Sequence, residues 1–196
     1  MTLKELEKIA NKYINSSQQS LPINALDVAF SLNIKVKNGV QAKIDFQGNS
    51  PLDTHNAIYT LYRGEYTIYY DEHYIYKNFA IAHEIAHHLL GHTSDGAAQH
   101  HDANLLAAVI IAPARLIYKH KIKSVHMLAE ICKMPIDIAE VYWNEIKFNL
   151  PKPLKSIAIK FGCFAGGVVF GYIFSNLNSN KTHKNEGKQI KPPTKK

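Results

Sequence analysis

One run constrains this chain more tightly than any other: Ile81-Ala82-His83-Glu84-Ile85-Ala86-His87-His88-Leu89-Leu90-Gly91-His92. Its apolar residues, Ile81, Ala82, Ile85, Ala86, Leu89 and Leu90, recur at helical spacing and define a buried face. Gly91 is a natural stop, because glycine takes the left-handed conformation after a last turn at little cost. The run predicts a helix from near Tyr76 to Gly91. On it His83 and His87 lie four residues apart, on one face, and offer two imidazole nitrogens to a single cation. Glu84 sits beside them, placed to handle the proton of a metal-bound water. In a chain with eleven histidines the bare pattern is only suggestive. The apolar face and the glycine stop around it point to a metal site.

The bulk composition leaves room for such a site in a folded core. With 196 residues, 46% of them hydrophobic, the chain suits one domain of ordinary size plus an appendage. A net charge of +7 suggests nucleic acid until the charge is located. Six lysines and one glutamate lie between Asn178 and Lys196, so this tail carries +5 and residues 1–177 only +2. Basic and aromatic residues do not interleave on one face, so no direct nucleic-acid binding is expected. A Lys-rich tail is more often solvated or laid on a membrane surface. Cys132 and Cys163 lie in different kinds of segment and form neither a disulfide framework nor a cysteine zinc site. Met1 to Glu7 reads as an amphipathic helix start rather than a secretory signal, since no apolar stretch follows a basic start.

Along the chain, Thr2 to Ser16 predicts a helix with Leu3, Leu6, Ile9, Ala10 and Tyr13 on one stripe. Pro22 is expected in the first turn of a second helix carrying Ile23, Leu26, Ala29 and Phe30. Ile34 and Val36 start a short strand, and residues 38–56 read as irregular. Two tyrosine-rich runs, Ala57 to Tyr62 and Tyr66 to Tyr70, joined by Arg63-Gly64-Glu65, predict a hairpin. After the histidine helix come a loop and a long helix from about Ala98 to Ala112. Two more follow, Ser124 to Cys132 and Ile136 to Lys147, before Pro151 and Pro153 mark a linker. Helices, a small antiparallel sheet, then helices argue for an α+β domain over residues 1–150.

Two histidines do not complete a catalytic zinc site, which needs a third protein ligand and an open position for water. The arrangement His-Glu-x-x-His-x-x-Gly-x-x-His fails here, because Leu90 stands at its glycine, Thr93 at its last histidine, and His92 falls one position early. The downstream helix is the better source: His100-His101-Asp102-Ala103-Asn104-Leu105-Leu106-Ala107-Ala108-Val109-Ile110-Ile111-Ala112-Pro113. In that helix the chain resembles the ImmA/IrrE family of HExxH metallopeptidases. Ala103, Asn104, Ala107, Ala108 and Pro113 fall on the family's pattern for this segment. Leu21 to Ala29 resembles its N-terminal helix, and Met127 to Ile131 with the following helix resembles its C-terminal pair. The likeness spans residues 1–148. It implies a helical, zincin-like fold and a Zn²⁺ held by His83, His87 and a residue of this helix. It further implies cleavage of a regulatory protein, often a helix-turn-helix repressor.

The chain departs from that pattern where the family carries a ligand glutamate, for His100 stands there. Imidazole also ligates zinc, so His83, His87 and His100 form a chemically sound set. Asn104 shares the face of His100 and is the expected supporting residue behind the ligands. Asp102 points roughly 200° around the helix from His100 and is, with His101, the alternative ligand. A degenerate site with no third ligand is a further alternative. On the active reading, Glu84 takes a proton from the zinc-bound water and passes it to the leaving amine. A tyrosine such as Tyr69, Tyr70, Tyr74 or Tyr76 is a candidate oxyanion donor, although packing is the commoner role for each. His88, His92 and His101 read as surface or packing histidines. The rival class is a protease-fold module that holds a repressor or other partner without cutting it.

The C-terminal segment has its own logic. Phe161 to Phe174 carries no charge, and with its flanks approaches the about 20 residues that cross a bilayer. Gly162, Gly166, Gly167 and Gly171 give small surfaces for helix association and would weaken a helix in water. Residues 151–156 therefore read as a linker, 157–177 as a transmembrane helix and 178–196 as a Lys-rich disordered tail. The expected location is membrane-anchored with the catalytic domain in the cytoplasm, the alternative being a soluble cytoplasmic protein.

Overall fold

Thr2 starts the first helix with a capping box. Its hydroxyl accepts from the Glu5 backbone N–H, and the Glu5 carboxylate accepts from the Thr2 N–H at 2.8 Å. The computed structural model describes residues 1–93 and 96–149. Among them it has eight α-helices and one three-stranded sheet, a mixed α+β fold. Helix α1 (Leu3–Ala10) ends earlier than its apolar stripe suggests, and the chain runs on in turns to the buried Ile14. Helix α2 (Ala25–Ser31) begins after Asn24, whose side chain accepts from Leu26 N at 3.1 Å. Pro22 thus lies outside the helix. Beside it, Ile23 N bonds the carbonyl of Ile111 at 2.8 Å and ties this approach to the far end of the domain.

The sheet corrects an expectation. Strands β2 (Ala57–Tyr62) and β3 (Glu65–Tyr70) form the antiparallel hairpin, turning through Arg63 and Gly64, both at positive φ. Strand β1 (Lys35–Asn38), however, pairs with β3 in parallel, so the predicted antiparallel sheet is mixed, in the order β1-β3-β2. A parallel pair needs a crossover connection. Residues 38–56, expected to be irregular, supply part of it. They hold α3 (Gly39–Asp45), capped by Asn38, and a 3-10 turn at Pro51–Asp53, capped by Ser50. Central β3 buries Thr67, Ile68 and Tyr69.

Helix α4 (Lys77–Leu90) packs on β2, β3, α2 and α5 (Ala97–Ile111). Phe79, Ala80, Ile81, Ala82, Ile85 and Ala86 are its buried residues, as the apolar spacing predicts. Asn78 fixes its first turn, accepting from Ala25 N and donating to Ile23 O, each at 2.9 Å. Beyond Asn104, α5 is buried on every side, from Leu105 to Ile111. The helix carries His100 in its first turn, ahead of this enclosed stretch. Its end is fixed as well. The fully buried Tyr142 donates to Ala112 O at 2.8 Å, satisfying a carbonyl that the helix itself cannot. Pro113 stops α5 and leads into a short helix absent from the sequence reading, α6 (Ala114–Lys119). Helices α7 (Val125–Cys132) and α8 (Ile136–Asn149) complete the unit, with Tyr142 on α8.

Met1–Leu150 forms one compact unit. Among the described residues no helix is long and apolar enough to cross a membrane. The predicted linker, transmembrane helix and tail, residues 151–196, lie outside the described residues.

Candidate metal centre

Helical spacing brings His83 and His87 together on α4, one turn apart, with Nε2 atoms 3.0 Å from each other. His100 arrives from α5, its Nδ1 3.3 Å from His83 Nε2. One nitrogen from each ring lies within 4.8 Å of the other two. The His83 and His100 rings are nearly parallel, at 8°, and His87 stands across both, at 72° and 78°. A tetrahedral zinc with Zn–N bonds of about 2.0–2.1 Å spaces its ligand nitrogens about 3.3 Å apart. The His83–His87 and His83–His100 separations are close to that spacing. A hydrogen bond between neutral imidazoles would explain one close pair. A third nitrogen turned to the same point is what a cation requires.

The electrostatics agree with the donor set. His83 has its pKa lowered to about 4, first by burial and then by the neighbouring charges of His87 and His100. Its ring is thus neutral near pH 7, with a lone pair available to a metal. Asn104 opposes that shift through a side-chain interaction that favours the charged ring. Even so, His83 Nδ1 is a buried nitrogen without a well-formed hydrogen bond. The residues present fit a zinc ion, which His83, His87 and His100 would hold.

The other sequence candidates separate clearly. Glu84 is half-buried on α4, next to His83. Asn104 stands one turn beyond His100 on α5, against the His83 ring. Asp102 belongs elsewhere, because its carboxylate accepts from the Met1 amine at 3.0 and 3.3 Å. His101 is exposed. Tyr69 is fully buried and donates to Asp45 Oδ2 at 2.7 Å, so it is committed away from any substrate. Tyr74 and Tyr76 form an edge-to-face pair.

Two histidines read as surface or packing residues have specific partners. His88 Nδ1 lies 2.6 Å from the Tyr59 hydroxyl, and its ring meets Tyr59 and Tyr66 edge-on. Burial lowers the His88 pKa. His92 Nδ1 lies 3.0 Å from His87 Nδ1. The available signal for His92 was the glycine before it, which turns the chain back over the helix end. No match appears among protein-family models, curated proteins or solved structures.

Proposed function

We propose that this chain is a zinc-dependent endopeptidase whose metal is held by His83, His87 and His100. The observation that carries the reading is the convergence of these three nitrogens from two helices within 4.8 Å. Zinc in such a site lowers the pKa of a bound water to about 7 and polarises a peptide carbonyl. Glu84, on the same helix face region as the ligands, acts as general base toward the attacking water and returns the proton to the leaving amine. Asn104, whose side chain interacts with the His83 ring, is the residue that would orient it. Packing of α5 against α4 sets His100 beside His83 and His87. The resemblance to ImmA/IrrE metallopeptidases supports a regulatory protein as substrate, with a helix-turn-helix repressor as the leading class. The apolar stretch 157–177 supports a membrane tether.

His100 in place of the family's glutamate favours a second reading, a module that binds a repressor without cutting it. The experiment that separates the two is zinc content and proteolysis of the full chain beside Glu84→Gln. An enzyme loses cleavage in Glu84→Gln and keeps its zinc. A binding module captures its partner equally well with either glutamate or glutamine at that position. For the tether, deletion of residues 154–196 should move the protein from the membrane to the soluble fraction. A full chain already soluble without detergent would end that part of the proposal.

A further inference from the structure

The zinc reading assigns His87 Nε2 to the metal, which leaves the ring's other nitrogen, Nδ1, in need of a partner. That partner is His92. Its Nδ1 stands 3.0 Å from His87 Nδ1, and the two rings meet edge-to-face with centroids 5.0 Å apart. The backbone explains how it gets there. Gly91 closes α4 at φ +65, and Gly91 N bonds His88 O at 3.2 Å while His92 N bonds His87 O at 3.1 Å. This pair of bonds is the Schellman ending, which folds the second residue past the helix back over its last turn. His92 is therefore tied to His87 twice, through the main chain and through the ring.

We infer that His92 is a positioning residue that accepts the Nδ1 proton of His87 and so fixes which nitrogen of His87 faces the metal. The inference rests on the zinc reading. A neutral imidazole that ligates through Nε2 carries its proton on Nδ1, and a donor so placed needs an acceptor to hold the ring plane. Carboxylates and main-chain carbonyls usually fill this role; here a second imidazole does, carrying its own proton on Nε2. Tyr59 does not compete for it, since its hydroxyl is engaged with His88. The Gly91-His92 pair thus acts as a unit, the glycine supplying the turn and the histidine the acceptor.

The test uses the full chain with His92→Leu and His92→Asn, titrated with zinc against a chromophoric chelator. The side-chain oxygen brought by His92→Asn falls close to where Nδ1 stood and can accept the same proton. Zinc affinity should drop about 10- to 100-fold in His92→Leu and return toward the parent in His92→Asn, with the melting temperature of the metal-free proteins unchanged. Parent-like affinity in His92→Leu would overturn the inference. A parent chain that takes up no zinc would instead sink the metal-centre reading. The positioning contact is then decided by the His87 ring alone, in ¹⁵N–¹H spectra of the metal-free chain. His87 protonated on Nδ1 in the parent, and shifted away from it in His92→Leu, upholds the contact; His87 protonated on Nε2 in the parent rejects it.

Discussion

Beside β3, the Asp45 carboxylate is surrounded by donors: Lys37 Nζ at 2.6 Å, Tyr69 OH at 2.7 Å and Gln41 Nε2 at 3.1 Å. Lys37 also lies over the Tyr62 and Tyr69 rings. Between α4 and α5, by contrast, three imidazoles each bring one nitrogen within 4.8 Å of the other two. The first cluster matches charge with charge and donor with acceptor, and it pins α3 to the sheet. On the proposed reading, the second is completed by a cation. A polar cluster built for stability is complete within itself, whereas one built for chemistry is completed by a ligand.

The largest expected difference between the two is in turnover. Glu84→Gln should lower proteolysis by about 100- to 10,000-fold while leaving zinc content and folding intact, since only the proton transfer is removed. Asp45→Ala should leave the rate of cleavage per folded molecule unchanged. Assays of the two variants on one protein substrate check this.

Acid should open the clusters in different windows. The His83 pKa lies below that of an exposed histidine, at about 4 against 6.5, mainly through burial. Its contribution to the metal-free fold is full above about pH 6.5 and is lost progressively as pH falls to about 4, a cost of about 3 kcal/mol. The Asp45 pKa is lowered to about 2, first by its hydrogen bond from Lys37. Its contribution survives to about pH 4 and is lost only as pH falls toward 2. Denaturant melts of the metal-free chain against pH, with Asp45→Asn as control, resolve the two steps. A single step shared by both proteins would remove the contrast.

Zinc should act on one cluster alone. At free zinc about 100 times its Kd, unfolding of the parent becomes harder by about 2.7 kcal/mol. His87→Ala should abolish that gain, and Asp45→Ala should retain it from a lower starting stability. Smaller still is the closed cluster's own loss. Asp45→Ala leaves Lys37 and the buried Tyr69 hydroxyl without their acceptor, for about 1–3 kcal/mol, and Tyr69→Phe costs about 1 kcal/mol. Thermal and urea melts give both figures.

How much of this was legible follows from where the determining contacts lie. Helix α4 could be read from Ile81, Ile85, Leu89 and Gly91 because its apolar period and its stop are local. His83 and His87 follow from that period, but their meeting with His100 depends on the packing of α5, which local spacing does not reveal. Helix α3 was missed because it buries little, Val40 and Ile44 being exposed, and only Asn38 marks its start. The parallel pairing of β1 was missed because Val36 finds its partner in Ile68, across a crossover that leaves no local trace. His92 reads as a surface or packing residue because its contact with His87 depends on a backward turn. The closed cluster had no signature at all, since Lys37, Asp45 and Tyr69 come together only in the fold.

The most direct test is the zinc content of the full chain after exhaustive dialysis, measured beside His100→Ala by elemental analysis. The expected result is one zinc per parent chain and almost none in His100→Ala, with both proteins folded by circular dichroism. A parent chain free of zinc, or a His100→Ala chain that keeps its zinc in full, contradicts the three-histidine centre on which the enzymatic reading depends.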